Sequence, residues 1–167
     1  KHVNKKSIIN QREIGSHTLG FLPALRSCLR ESADVIPLGE MRDYETISLA
    51  LTAAETGSLV LATLHTAGAA KTIDRIIDVF PAERQNQARM MLSESLRAVV
   101  WQQLIKTRDG KERVPACEIL FNNTAIANMI RKGNTHQIDG AIETGSSQKM
   151  QTMKSALDEL LETKKIS

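Results

Sequence analysis

Aromatic residues make up only 3% of this 167-residue chain, which holds one Trp, one Tyr and three Phe. A surface that stacks bases needs rings in number, so the sequence argues against a nucleic-acid partner despite a net charge of +3. The basic excess falls mainly at the two ends, at Lys1, Lys5, Lys6, Lys164 and Lys165, while the middle mixes both signs as a solvated surface does. Cys28 and Cys117 stand far apart with no C-x-x-C between them. Neither a zinc site nor a disulfide framework is therefore expected, and reduced thiols in the cytosol fit. No apolar run approaches the roughly 20 residues that span a bilayer, so attachment to a membrane would come through a partner. The N-terminus has no initiating Met and no apolar signal-peptide core, which fits a cut or partly observed polypeptide.

What is present is an ordinary globular composition, 41% hydrophobic and 25% charged, at a length that suits one domain with a real core. The most informative stretch is 35–72. Val35, Ile36 and Leu38 precede Gly39-Glu40, and Leu59 to Leu64 lead to His65-Thr66. Between them Ile47, Ala50, Leu51 and Ala54 recur at helical spacing, and Gly57 is a natural C-terminal stop. The pattern predicts a βαβ unit with two buried parallel strands, delivering Glu40 and His65 to the sheet edge where α/β proteins bind ligands.

Elsewhere the sequence predicts a strand over Ser7 to Glu13 and a helix over His17 to Arg30, capped by Ser16 or Thr18 with Leu22, Leu25 and Leu29 on one face. A helix over Thr66 to Phe80 turns Ile73, Ile76, Ile77 and Phe80 inward and stops at Pro81. A long helix from Ala82 to about Gln103 follows. Thr107 to Lys111 reads as a turn around Asp109-Gly110, with a strand over Val114 to Phe121 forming a hairpin-like pair. Short helices come last, over Thr124 to Arg131, Thr135 to Ile142 and Met150 to Glu162.

A carboxylate at the carboxyl end of a buried strand, as Glu40 would be, suits holding Mg²⁺ through water or positioning an attacking water in phosphoryl transfer. The alternative is that Glu40 helps Asp43 cap the next helix, where a carboxylate is favoured in any case. His65 is open in the same way, since a lone histidine at a strand end is often structural. Arg42 and Arg75 are candidates for charge relay or subunit contact, because the guanidinium pairs bidentately with carboxylate or phosphate; each also suits a solvated helix face.

GEMRD (39–43), AAETG (53–57), TLHT (63–66) and AAKTIDRIIDVFP (69–81) together resemble the type IV pilus retraction ATPases, and the likeness runs from about Ile9 to Leu157. The resemblance implies an α/β fold: a partial RecA-like P-loop NTPase core, mainly parallel sheet with flanking helices, over 1–121, and a helical C-terminal subdomain over 122–167. It implies a homohexameric cytoplasmic motor that hydrolyses ATP with Mg²⁺ to drive pilus retraction, peripheral at the inner membrane through its pilus platform protein and machinery. Glu40 would then be the Walker B acid, holding Mg²⁺ through water. His65 would be a His-box residue donating to the γ-phosphate, with Thr66 capping the next helix.

The chain departs from that family in ways that matter. No G-x-x-x-x-G-K-[ST] occurs, so the loop that cradles the β and γ phosphates is missing; in Gly68-Ala-Ala-Lys71-Thr72, Ala70 stands where the second glycine must be. The chain therefore reads as the C-terminal half of an ATPase domain, inactive by itself. Pro37 sits inside a strand, which is expected only at an edge or bulge. Glu31-Ser-Ala-Asp34 replaces an acid-proline-aspartate turn. Ala125, Ile126, Asn128, Ile130 and Arg131 match the retraction motif AIRNLIR, but Ala127 replaces its first arginine and Met129 its leucine. The alternatives are a pilus assembly or type II secretion ATPase, or a non-catalytic accessory subunit of the motor.

Overall fold

A computed structural model describes residues 2–167. The chain forms two compact units, one ending at Thr63 and one spanning Leu64–Ser167.

The first unit holds helix α1 (Phe21–Cys28), strand β1 (Val35–Glu40), helix α2 (Tyr44–Glu55) and strand β2 (Leu59–Thr63). β1 and β2 pair in parallel, with Val35 opposite Leu59 and Glu40 opposite Thr63. The βαβ pattern is thus as the sequence predicts, and Gly57, at φ +106, ends α2 in a conformation that few other residues adopt. The strands are not buried on both sides, however. Ile36 and Leu38 pack with Leu25, Ala50 and Ala53, whereas Val35, Leu59 and Leu61 are 50%, 47% and 53% exposed. Helices α1 and α2 supply a single layer, and alternation along a strand sends every second side chain away from it. Pro37 meets both conditions that admit proline to a strand: it lies in a two-stranded pair, and the register slips between Pro37 and Glu40.

Residues 2–20 depart from expectation. No strand forms over Ser7 to Glu13; the local pairing is an isolated bridge between Ile14 and Thr18. A strand needs a neighbour for its ladder, and Ile8 here is 87% exposed. α1 starts late, at Phe21, because Gly15 (φ +89) opens a tight turn in which its N–H donates to the Thr18 carbonyl at 2.8 Å. The Thr18 hydroxyl donates to the Gly20 carbonyl, so no side chain caps α1.

The second unit contains helices α3 (Ala69–Asp78) and α4 (Ala82–Ser95), strands β3 (Ala98–Lys106) and β4 (Arg113–Phe121), and helices α5 (Thr124–Lys132), α6 (Ile138–Thr144) and α7 (Met153–Glu162). Ile73, Ile77, Leu120, Ile126, Ile130 and Ile138 are all 0% exposed and form its centre. Fully burying one such side chain is worth roughly 1.5–3 kcal/mol. β3 and β4 are antiparallel in unbroken register from Ala98–Phe121 to Lys106–Arg113, and Gly110 (φ +71) lies in the turn as predicted.

The long helix to Gln103 is corrected: α4 ends at Ser95, Leu96 turns extended (ψ 133), and 98–106 is strand. Asn122 secures this end. Its Nδ2 donates to the carbonyls of Ser93 and Leu96, both at 3.0 Å, closing two acceptors that the last turn of a helix leaves open. The C-terminal helices join β4 through Gln151, which exchanges backbone hydrogen bonds with Ile119 at 2.8 and 3.0 Å. Residues 122–167 thus lie in one compact unit with the hairpin.

Candidate functional site

In the first unit the candidates cluster at the carboxyl end of β1. Thr63 locks that end: its hydroxyl donates to the Gly39 carbonyl and its carbonyl accepts from Met41 N–H, each at 3.1 Å. The Glu40 side chain is 26% exposed and forms an ion pair with Arg42, which is 77% exposed. The hydrogen bond that Arg42 donates to Glu40, and then the carboxylate's charge, hold its guanidinium more firmly protonated than usual. Asp43 is the N-cap of α2, with Oδ1 accepting from Thr46 N–H at 2.8 Å and Oδ2 from the Thr46 hydroxyl at 3.0 Å. The two carboxylates therefore divide the work, Asp43 for the helix and Glu40 for the strand end.

In the second unit residues 64–68 lead into α3, and His65 is exposed. Thr66 does not cap α3. Its hydroxyl lies 2.6 Å from that of Thr72, which in turn donates to the Gly68 carbonyl at 2.8 Å. Gly68 (φ +127) is the N-cap residue and offers no side chain. The first N–H of the helix goes instead to Glu118 Oε1, 2.8 Å from Ala69 N. Sequence reading missed Glu118 because its partner is 49 residues away. Arg75 is exposed in the last turn of α3, a position that favours a cation by the helix dipole.

The motif helix α5 is capped at both ends. Asn123 Oδ1 accepts from Ile126 N–H at 2.9 Å, and Gly133 (φ +74) closes the C-terminus. Ile126 and Ile130 are buried, while Ala125, Asn128 and Arg131 are exposed. Ala127 is half-buried rather than outward-facing, as is Met129.

Mg²⁺ prefers oxygen ligands and keeps several waters, using one or two carboxylates plus substrate phosphate. Among the described residues no three His, Cys, Asp or Glu converge. A single strand-end carboxylate, Glu40, fits an ion held mainly by water and phosphate and would not suffice for a cage built from protein alone. No helix among the described residues is long and apolar enough to cross a membrane.

Comparison with known proteins gives the family. The chain belongs to the type II/IV secretion system protein family, whose model matches residues 3–165. It is 58% identical to the twitching motility protein of Neisseria gonorrhoeae over 160 residues, 96% of this chain and 43% of that protein. It is 56% identical to the type IV pilus retraction ATPase PilT of Pseudomonas aeruginosa, again over 96% of this chain and 46% of that one. The crystal structure of the pilus retraction motor PilT with bound ADP superposes with a TM-score of 0.86 at 48% identity, covering 98% of this chain and 46% of that one. The fold is thus that of the RecA-like secretion ATPases, and the chain spans less than half the length of these relatives.

Proposed function

We propose that this chain is the C-terminal part of the ATPase domain of a hexameric motor that hydrolyses ATP to retract type IV pili. The observation that carries this reading is identity of 56–58% over 96% of the chain to proteins named for twitching motility and pilus retraction. The uncovered face of Val35, Leu59 and Leu61 supports it, since in a complete domain a further layer would cover those side chains. On this reading residues 1–121 belong to the ATPase core and 122–167 to the part that meets the pilus machinery at the inner membrane.

Phosphoryl transfer needs charge neutralisation and positioning more than covalent help. Mg²⁺, when bound with ATP, supplies the first. Glu40 holds that ion through water from the locked end of β1. Arg42 keeps the carboxylate oriented and is free to exchange partners, being mostly exposed. His65 donates to the γ-phosphate and so reports its presence. Arg75 and Arg131, both exposed, serve contacts between subunits or with the pilus platform.

Hydrolysis measured on two polypeptides tests the reading. The complete protein is expected to hydrolyse ATP with Mg²⁺, and the 167-residue chain by itself is not, since it has no phosphate-cradling loop. Absence of hydrolysis in the complete protein would leave the accessory-subunit alternative standing.

A further inference from the structure

Glu118 reaches from the middle of β4 to the start of α3, a helix whose own N-cap, Gly68, has no side chain to offer. Its carboxylate satisfies the Ala69 N–H and lies at the helix end where negative charge is favoured. A Cβ at position 68 would meet Glu118 Oε1 in ordinary van der Waals contact, at 3.5 Å. Thr66 is held from within α3 by its hydroxyl contact with Thr72. His65 therefore sits in a loop fixed both at Thr66 and at its junction with the helix.

The residues flanking Glu118 make the other half of the case. Cys117 accepts through its carbonyl from Gln151 Nε2 at 3.0 Å, and Ile119 exchanges both backbone hydrogen bonds with Gln151. One three-residue stretch of β4 thus carries the support for the histidine loop and the anchorage of the C-terminal segment.

We propose that Glu118 is a positioning residue for nucleotide sensing: it holds the His65 loop in register with β4, and through Gln151 with the C-terminal helices. The proposal rests on the reading of His65 as the γ-phosphate contact.

The test is steady-state ATP hydrolysis by the complete protein carrying Glu118→Ala, Glu118→Gln, His65→Ala, or Glu118→Ala with His65→Ala. Glu118→Ala is expected to lower kcat on the order of 10-fold or more, because small misplacement of a reacting-site group is costly. KM for ATP should stay within about twofold, since a positioning role acts on the transition state rather than on uniform binding. Glu118→Gln, whose amide oxygen still accepts from Ala69 N–H, should recover most of the rate. The double variant should be no slower than His65→Ala, because losses at two residues acting as one unit do not multiply. If Glu118→Ala does not fold, Glu118→Asp replaces it; the shorter side chain keeps the charge but loses the reach, and kcat should again fall. An unchanged kcat in these variants beside a slowed His65→Ala overturns the proposal, as do losses that multiply in the double variant. A silent His65→Ala overturns the sensing reading itself and the proposal with it, and no other outcome has that signature.

Discussion

Asp43 accepts twice from Thr46, once from its backbone N–H and once from its hydroxyl, and these two bonds set the first turn of α2. Asp43→Ala is expected to lower stability by about 1 kcal/mol, the usual loss for an N-cap carboxylate. In a complete ATPase, nucleotide turnover at permissive temperature should change little. Thermal melting of the variant checks the first half and hydrolysis the second; lost turnover with unchanged melting would move Asp43 from the helix to the chemistry.

Glu40→Gln, three residues earlier, should do the opposite. The amide keeps the size of the side chain and removes its negative charge, so nucleotide binding should persist while turnover falls on the order of 10²-fold, the scale for losing a preorganised electrostatic group. Melting temperature should hold, because Arg42, the partner it loses, is mostly exposed. Turnover at the wild-type rate would remove Glu40 from the catalytic machinery.

His65→Ala should lower hydrolysis and retraction yet leave melting within a few degrees, since the side chain is exposed and surface substitutions usually cost little. A structural histidine would show the reverse order: full turnover with a clear fall in melting temperature.

The motif helix separates packing from contact. Ile130→Ala removes a side chain that is 0% exposed and should cost about 2–5 kcal/mol. Arg131 is exposed, so Arg131→Ala should spare stability and ATP binding and weaken retraction. Ala127→Arg, intended to restore the family's charge, meets a half-buried position and should cost stability instead. Melting and retraction force on the three variants give the answer, and a silent Arg131→Ala would assign α5 to packing alone.

Glu31 joins residues 2–14 to α1. Its Oε1 accepts from Arg12 at 2.5 Å and from the Ser27 hydroxyl at 3.0 Å, and the Arg12 hydrogen bond, followed by that of Ser27, holds its carboxyl below the usual range. A carboxylate with a depressed folded pKa contributes stability above its unfolded value of about 4.3 and loses it as pH falls through the lower folded value. Titration of Glu31 by NMR should therefore show a midpoint below the ordinary glutamate value, moving upward in Arg12→Ala. An identical midpoint in that variant would refute the tie.

Elements with sharp punctuation were legible in the sequence. Gly57 and Pro81 mark where α2 and α3 run out, and the apolar run into Glu40 shows β1 and the acid at its end. The pattern overextends α4 because Ala88, Leu92, Leu96 and Val99 keep nearly helical spacing with no Gly or Pro to stop it. Pairing with β4 decides the matter there, as tertiary context does for β-prone residues such as Val99 and Val100. The same distance effect hides Glu118: a helix capped from another strand has no local signature, and the Lys-Thr after Gly68 draws attention elsewhere. Thr66 misleads for a related reason, since its residue type permits a cap while Gly68 lies nearer the helix start.

Asn122 and Asn123 are neighbours with opposite duties, the first closing the end of α4 and the second opening α5. Both helix ends at this joint are fastened by amide side chains of adjacent residues. The end of α4 and the start of α5 are thus held from positions one residue apart along the backbone, and the two helices also pack directly on each other.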